Sequence, residues 1–242
     1  MSGHSKWAGI KHKKAIIDAK RGKVFTRIIR ELTIAAKQGG GSPDNNARLR
    51  KAIDDAKIAN MPADNMKKAI QRGTGELPGV IYEELMYEGY GPNGVAVMVE
   101  GTTDNKNRTH SEIRKIFSSH GGNLGDSGCV NWMFQPKGYI AVEKSKAKED
   151  ELMGIAIDNG ADDVKSDDDT FYEIYTQPAD FEKIKKAIES KNIPVADAEI
   201  TMIPSTYIKL EGDDARKMIE LYDELDEHDD VKNVYSNFEV DE

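Results

Sequence analysis

The stretch Leu85-Met86-Tyr87-Glu88-Gly89-Tyr90-Gly91-Pro92-Asn93-Gly94-Val95-Ala96-Val97-Met98-Val99 is where the pattern of the chain changes. Leu85 and Tyr87 alternate with polar residues before the turn cluster, and Val95, Val97 and Val99 recur every second residue after it. A period of two on both sides of Gly91-Pro92-Asn93-Gly94 predicts two strands joined as a hairpin. The same glycines, Gly89-x-Gly91-x-x-Gly94, match a dinucleotide-binding fingerprint by letter. That motif works by ending a strand and opening a helix whose N-terminus faces a pyrophosphate. Here the last glycine runs straight into a strand, so a hairpin explains the glycines and no cofactor is expected.

Upstream of this stretch the period is helical. Val24, Phe25, Ile28, Ile29, Leu32 and Ala36 predict one helix, which Gly39-Gly40-Gly41 stops. Ser42 as cap and Pro43 at the first helical position predict the start of a second, with Leu49, Ala52, Ile53 and Ala56 inward. Pro62 restarts the chain into a short third helix ending at Gly73. Residues 1–75 therefore read as a three-helix domain with an N-terminal arm, and Gly73–Gly79 as its linker.

Downstream, the pair Thr109 and Glu112 predicts a capping box opening a helix, and Cys129–Phe134 a further strand. Residues 136–205 carry the order β-α-β-β-α-β, the split ferredoxin-like arrangement. A last strand, helix and strand follow: Tyr207–Leu210, Asp213–Glu227 with Ala215, Met218, Ile219, Tyr222 and Leu225 inward, and Val231–Glu239. Alone they are too little for a domain. Joined to 80–135 they complete one, so 80–135 and 206–242 form a discontinuous α/β domain and 136–205 is inserted in it. The predicted fold class is α+β.

Composition excludes several functions. The longest uninterrupted apolar run, Val95–Val99, is far short of the ~20 residues that span a bilayer. The single cysteine, Cys129, excludes an intramolecular disulfide framework, fits a reducing compartment and reads as a small apolar residue inside a strand. His4, His12, His110, His120 and His228 are scattered without metal-ligand spacing, and the acidic runs Asp167-Asp168-Asp169 and Asp223–Asp230 read as solvated turns and helix surface. No phosphate-binding loop, metalloprotease or nucleophile-elbow motif occurs, so the chain makes almost no case as an enzyme. A polar stretch at Asp104, Asn107 and Arg108 is explained by capping and turn chemistry.

Charge is the informative feature. The 242 residues hold 34 Lys+Arg and 43 Asp+Glu, a net charge of −9. Residues 1–75 hold 17 and 6 of these, a balance of +11, and the rest of the chain a balance of −20. Such asymmetry marks a basic module that meets an anionic partner. A secretory leader would need an apolar core that Met1–Arg30 lacks, and an excess of Lys over Arg argues against a mitochondrial one. A merely solvated basic face is the bland alternative; Trp7, His4 and His12 interleaved with lysines favour stacking on nucleic acid. The candidate contacts are His4, Lys6, Trp7, Lys11, His12, Lys13, Lys14, Lys20, Arg21, Lys23, Arg27 and Arg30, with Lys51, Lys67, Lys68 and Arg72 on the later helices.

Ser2-Gly3-His4-Ser5-Lys6-Trp7 resembles the opening of the YebC family. Asp18–Lys23, Glu88-Gly89-Tyr90-Gly91-Pro92, Asp104–Thr109, Gly121-Gly122-Asn123-Leu124-Gly125 and Met202-Ile203-Pro204 extend the resemblance over essentially the whole chain. Ser2 stands where Ala is commoner. The family is labelled probable transcriptional regulators and includes a mitochondrial translational activator of cytochrome oxidase subunit I. The resemblance implies a helical domain followed by two ferredoxin-like domains, one inserted in the other. It also implies a cytoplasmic, non-enzymatic protein, and the lack of a presequence before Gly3-His4-Ser5 points to a bacterial-type member. DNA and ribosomal or transfer RNA are both candidate partners. No helix shows side chains set for a major groove, and the arm suits irregular RNA, so a ribosome-associated role is favoured. The alternative is a protein–protein adaptor acting through the acidic α/β domains. No membrane partner is expected, and oligomeric state is open, with a monomer the simpler expectation.

Overall fold

The computed structural model describes residues 21–240. Three helices come first: α1 (Arg21–Gly39), α2 (Ala47–Ile58) and α3 (Ala63–Thr74). Their core is Leu32, Ala35 and Ala36 of α1 against Leu49, Ala52 and Ala56 of α2, Met61, and Ala69 of α3. Small residues let the helices approach closely. A Cβ added at Gly73 would lie 2.3 Å from the Thr33 carbonyl oxygen, so α3 can cross α1 here only as glycine.

The second helix does not start at Ser42. Residues 42–45 form a turn, and Asn46 is the cap: its Oδ1 accepts from Leu49 N–H at 3.0 Å. Its Nδ2 donates to the carbonyls of Ala35 and Gly40 at 2.8 and 2.9 Å. A buried amide thus serves the end of one helix and the start of the next, which a Ser hydroxyl at position 42 cannot reach to do.

The discontinuous domain is built on β1 (Glu83–Tyr90) and β2 (Ala96–Thr103), paired antiparallel from Glu83↔Thr103 to Tyr90↔Ala96. The hairpin reading holds, with Asn93 and Gly94 at positive φ in the turn. Helix α4 (Lys106–Ser119) follows, then a two-residue strand β3 (Asn123–Leu124) beside β1. After the insertion come β8 (Ile208–Leu210), α7 (Gly212–Glu227), β9 (Val231–Ser236) and β10 (Phe238–Val240). The sheet order is β3-β1-β2-β9, with β8 and β10 as a separate parallel pair. Both helices lie on one face, where Val95, Val97 and Val99 meet Ile113, Phe117, Met218 and Leu221.

Several expectations change in detail. The Asn105 side chain caps α4, not Thr109, because Asn105 Oδ1 accepts from Arg108 N–H. Cys129–Met133 is not a strand: it is a loop and one 3-10 turn (Asn131–Met133) that Glu88 pins, and a strand begins only at Phe134. The buried Glu88 carboxylate accepts backbone N–H groups of Gly128, Val130 and Asn131, each at 2.8 Å. Those bonds hold its pKa below the usual carboxylate value against the opposing effect of burial. The last strand breaks at buried Asn237, whose Oδ1 accepts from Ala96 N–H at 2.8 Å. Ile219 sits at the rim of α7, and Leu221 takes the inward place.

The inserted domain runs β4 (Phe134–Glu143), α5 (Glu149–Asp158), β5 (Asp163–Lys165), β6 (Phe171–Thr176), α6 (Phe181–Ser190) and β7 (Asp197–Pro204). Its antiparallel order β5-β6-β4-β7 is the ferredoxin-like one. Ile140, Val142 and Ile174 pack under Leu152, Ala156, Ile184 and Ile188 of its two helices. Against the discontinuous domain it presents Phe134 and Met202, which join Ala96, Met98, Val130 and Tyr235 in one apolar cluster.

Candidate nucleic-acid interface

The cations of the helical domain fall into two sets. Lys51, Lys67, Lys68 and Arg72 are exposed on α2 and α3. Lys51 lies 3.5 Å from Asp55 one turn on. Lys67, Lys68 and Arg72 form no ion pair among the described residues. They follow one another along α3 at i, i+1 and i+5, because Ala69 and the partly buried Met66 and Ile70 turn the other side inward.

The second set, Lys23, Arg27 and Arg30, is spaced i, i+4, i+7 along α1 and faces the discontinuous domain. It meets the C-terminal end of α7. Lys23 Nζ donates to the Glu227 carbonyl and Arg27 Nη2 to the Asp226 carbonyl. Arg30 Nη1 donates to the carbonyls of Asp229 and Thr102 at 2.5 and 3.2 Å. Carboxylates add to this: Asp229 is 3.8 Å from Lys23, Asp226 3.8 Å from Arg27, and Asp230 2.9 Å from Arg30. Helix α7 has no basic residue in its own last turn. Cations from another domain therefore satisfy its terminal carbonyls and the negative end of its dipole.

Asp230 is the hub. It is 3% exposed; its Oδ2 accepts from Thr109 at 2.6 Å, Arg108 at 2.7 Å and Thr103 at 3.0 Å, while Oδ1 faces Arg30. Burial acts to raise its pKa, but these hydrogen bonds and the Arg30 charge outweigh burial and hold it below the ordinary aspartate value. Asp226 and Asp230 are buried rather than solvated, which corrects the reading of the 223–230 run as plain surface. Beside them Glu112 lies 3.0 Å from His228 Nε2, and Asp230 N–H donates to His228 Nδ1. Glu112, His228 and Asp230 could gather ligand atoms within 4.8 Å. Two guanidiniums already hold the Asp230 carboxylate, so a metal ion there would meet positive charge.

A second clamp ties the same domains. Arg48 donates to Glu31 at 2.6 Å and to Glu84 on β1 at 2.6 Å, and Lys232 lies 2.9 Å from Glu31. Between α1, α4 and α7 an open cleft of about 630 Å³ remains, lined by Lys23, Arg30, Arg108 and Lys115 against a majority of acidic groups.

His4, Lys6, Trp7, Lys11, His12, Lys13, Lys14 and Lys20 lie outside the described residues, and Arg21 opens α1. Of the remaining candidates, three on α3 form no ion pair among the described residues, Lys51 on α2 is paired with Asp55, and three are engaged by the neighbouring domain. Sequence reasoning passed over Arg48 and Asp230, whose roles arise only when α1 and α7 meet. It also passed over Trp132, 72% exposed on the Glu88-pinned loop, with its indole N–H donating to the Cys129 carbonyl. No described helix is long and apolar enough to cross a membrane.

A basic three-helix unit joined by ion pairs to a split α/β domain with a ferredoxin-like insert defines a three-domain α+β protein. A family model for the TACO1/YebC N-terminal domain matches residues 5–76, and one for the TACO1/YebC second and third domain matches residues 82–238. The chain belongs to the YebC family. A probable transcriptional regulatory protein of Endomicrobium trichonymphae is 61% identical over 99% of this chain and 96% of its own length. One from Pelotomaculum thermopropionicum is 57% identical over the full length of both. The crystal structure of a conserved hypothetical protein from Aquifex aeolicus superimposes with a TM-score of 0.80 at 47% identity, covering 93% of each chain.

Proposed function

We propose that this protein is a non-enzymatic, nucleic-acid-binding regulator of gene expression that contacts its target through residues 1–75. The observation that carries the reading is the row Lys67, Lys68 and Arg72, exposed and without ion-pair partners among the described residues, on the one domain with a balance of +11. Unpaired cations on a rigid helix gain most from phosphate, because no internal ion pair has to be broken first. The names of the relatives, probable transcriptional regulatory proteins, support a regulatory role. Irregular RNA, ribosomal RNA above all, suits an exposed row of point charges. Such a partner places the protein in the cytoplasm.

The test is co-sedimentation with ribosomes at graded salt, beside a mobility shift with promoter fragments. Pelleting that fades as salt rises supports the reading. Failure to pellet, with selective shift of one DNA sequence, replaces RNA by DNA as the target.

The exposed Trp132 favours a second reading, in which the acidic α/β domains act as an adaptor for a basic protein. Deleting residues 1–75 separates the two. The adaptor reading keeps partner binding in the fragment, and the nucleic-acid reading loses it.

A further inference from the structure

Lys23, Arg27 and Arg30 have the charge and spacing of a phosphate-contacting stripe, yet all three are turned onto the C-terminal end of α7. What they meet there resembles a nucleic-acid backbone in its chemistry. The main-chain oxygens of Asp226, Glu227 and Asp229 accept their hydrogen bonds, and three carboxylates stand among those oxygens. The contact is incompletely satisfied. The Nε of Arg27, the Nε of Arg30 and the Oδ1 of Asp226 are buried without a hydrogen-bond partner. A phosphate offers a guanidinium two acceptors in the geometry of its fork, which a single carbonyl does not.

Among the described residues, no hydrophobic cluster spans this boundary. The helical core is closed within α1–α3, and the core of the discontinuous domain lies under α4 and α7. Polar domain boundaries without a shared core open readily, and exposed ion pairs at their rim weaken with salt.

We propose that the acidic segment Asp226–Asp230, at and just beyond the C-terminal end of α7, is an internal competitor for nucleic acid. It occupies the cations of α1 in the free protein and yields them when phosphates arrive, so that the helical domain undocks on binding. This rests on the nucleic-acid reading above. Lys67, Lys68 and Arg72 make the first contact, and the α1 stripe is added once the domain is released. Indiscriminate binding is thereby suppressed, because a weak polyanion has to displace a contact already made.

The test uses the full chain with spin labels at Ile58→Cys and Ile157→Cys, both exposed, in a Cys129→Ser background. It also uses a fluorescent single-stranded RNA. Asp229→Lys places a cation beside Lys23 at a side chain that is 71% exposed. Asp158→Lys makes the same change of net charge at the exposed last residue of α5 in the inserted domain. The expected result has three parts. Without RNA, Asp229→Lys broadens the label–label distance. It binds RNA about fivefold or more tighter than Asp158→Lys. RNA added to the unsubstituted labelled protein broadens the same distance. Equal RNA affinity of the two variants, or an RNA-saturated protein whose distance stays as in the free state, overturns the competitor. Absence of binding by every form, to this RNA and to duplex DNA alike, overturns the nucleic-acid reading and the competitor with it.

Discussion

The two domain boundaries of this molecule are made of different materials. Between the discontinuous and inserted domains the contact is apolar: Ala96, Met98 and Val130 close on Phe134, Met202 and Tyr235. Between the helical domain and the rest it is ionic, with Arg30 on Asp230, Arg48 on Glu84, and α1 cations on the end of α7. Apolar burial is not screened by salt, whereas exposed ion pairs such as Lys23–Asp229 are, and carboxylates answer to pH. The α/β part is therefore one body, and the helical domain is attached to it by forces that an anionic ligand can compete for.

The first way to break this contrast is at the apolar seam. Phe134→Ala removes a side chain that is 5% exposed and should cost about 3–5 kcal/mol of the stability of the α/β body. A denaturant melt followed in the near-ultraviolet checks it. A loss well under 1 kcal/mol would mean that the seam does not bind the two domains together.

Next in size is Asn46→Ala, confined to the helical domain. It removes a cap and strands the carbonyls of Ala35 and Gly40, at a cost of about 1–2 kcal/mol. Hydrogen exchange should show α1 and α2 opening while β2 and α4 keep their protection. Equal loss of protection in both domains would show that they unfold together, against the polar boundary described here.

Acid should sharpen the contrast further. A carboxylate whose folded pKa is depressed contributes stability above its unfolded value and loses it as pH falls through the folded one. Asp230 and Glu31 are both depressed: Asp230 by its hydrogen bonds and Arg30, Glu31 by Arg48 and Lys232, in each case against burial. Docking should therefore hold above about pH 4, the unfolded range, and loosen below it. Label distances read across a pH series check this, and a distance that stays unchanged well below pH 4 would contradict it.

How much of this was legible before any fold was known follows the same division. The three helices, the hairpin at Gly91–Gly94 and the βαββαβ insertion were readable because one period governs each. The cap at Asn46 was not, because Ser42-Pro43 is an equally good local signal and only contact with the end of α1 selects the asparagine. The segment Cys129–Phe134 read as a strand, but the Glu88 carboxylate captures the N–H groups of Val130 and Asn131 and folds all of it before Phe134 into a loop and a 3-10 turn. In the basic stripe, charge identified which residues seek anions. It did not reveal that for Lys23, Arg27 and Arg30 the anion is the protein's own, since Asp226–Asp230 lies some 200 residues away in sequence. Lys67, Lys68 and Arg72 remain as the row that looks outward.

That row is where the account is most exposed to test. The measurement is the salt dependence of single-stranded RNA binding for the full chain and for Lys67→Ala/Lys68→Ala/Arg72→Ala, all three exposed and off the helical core. Each lost phosphate contact lowers the slope of log K against log salt by about 0.7 on a single strand, so the triple variant should bind more weakly with a slope shallower by about 2 and an unchanged melting transition. Identical affinity and slope for both proteins would contradict the claim that the outward face of the helical domain is where nucleic acid is held.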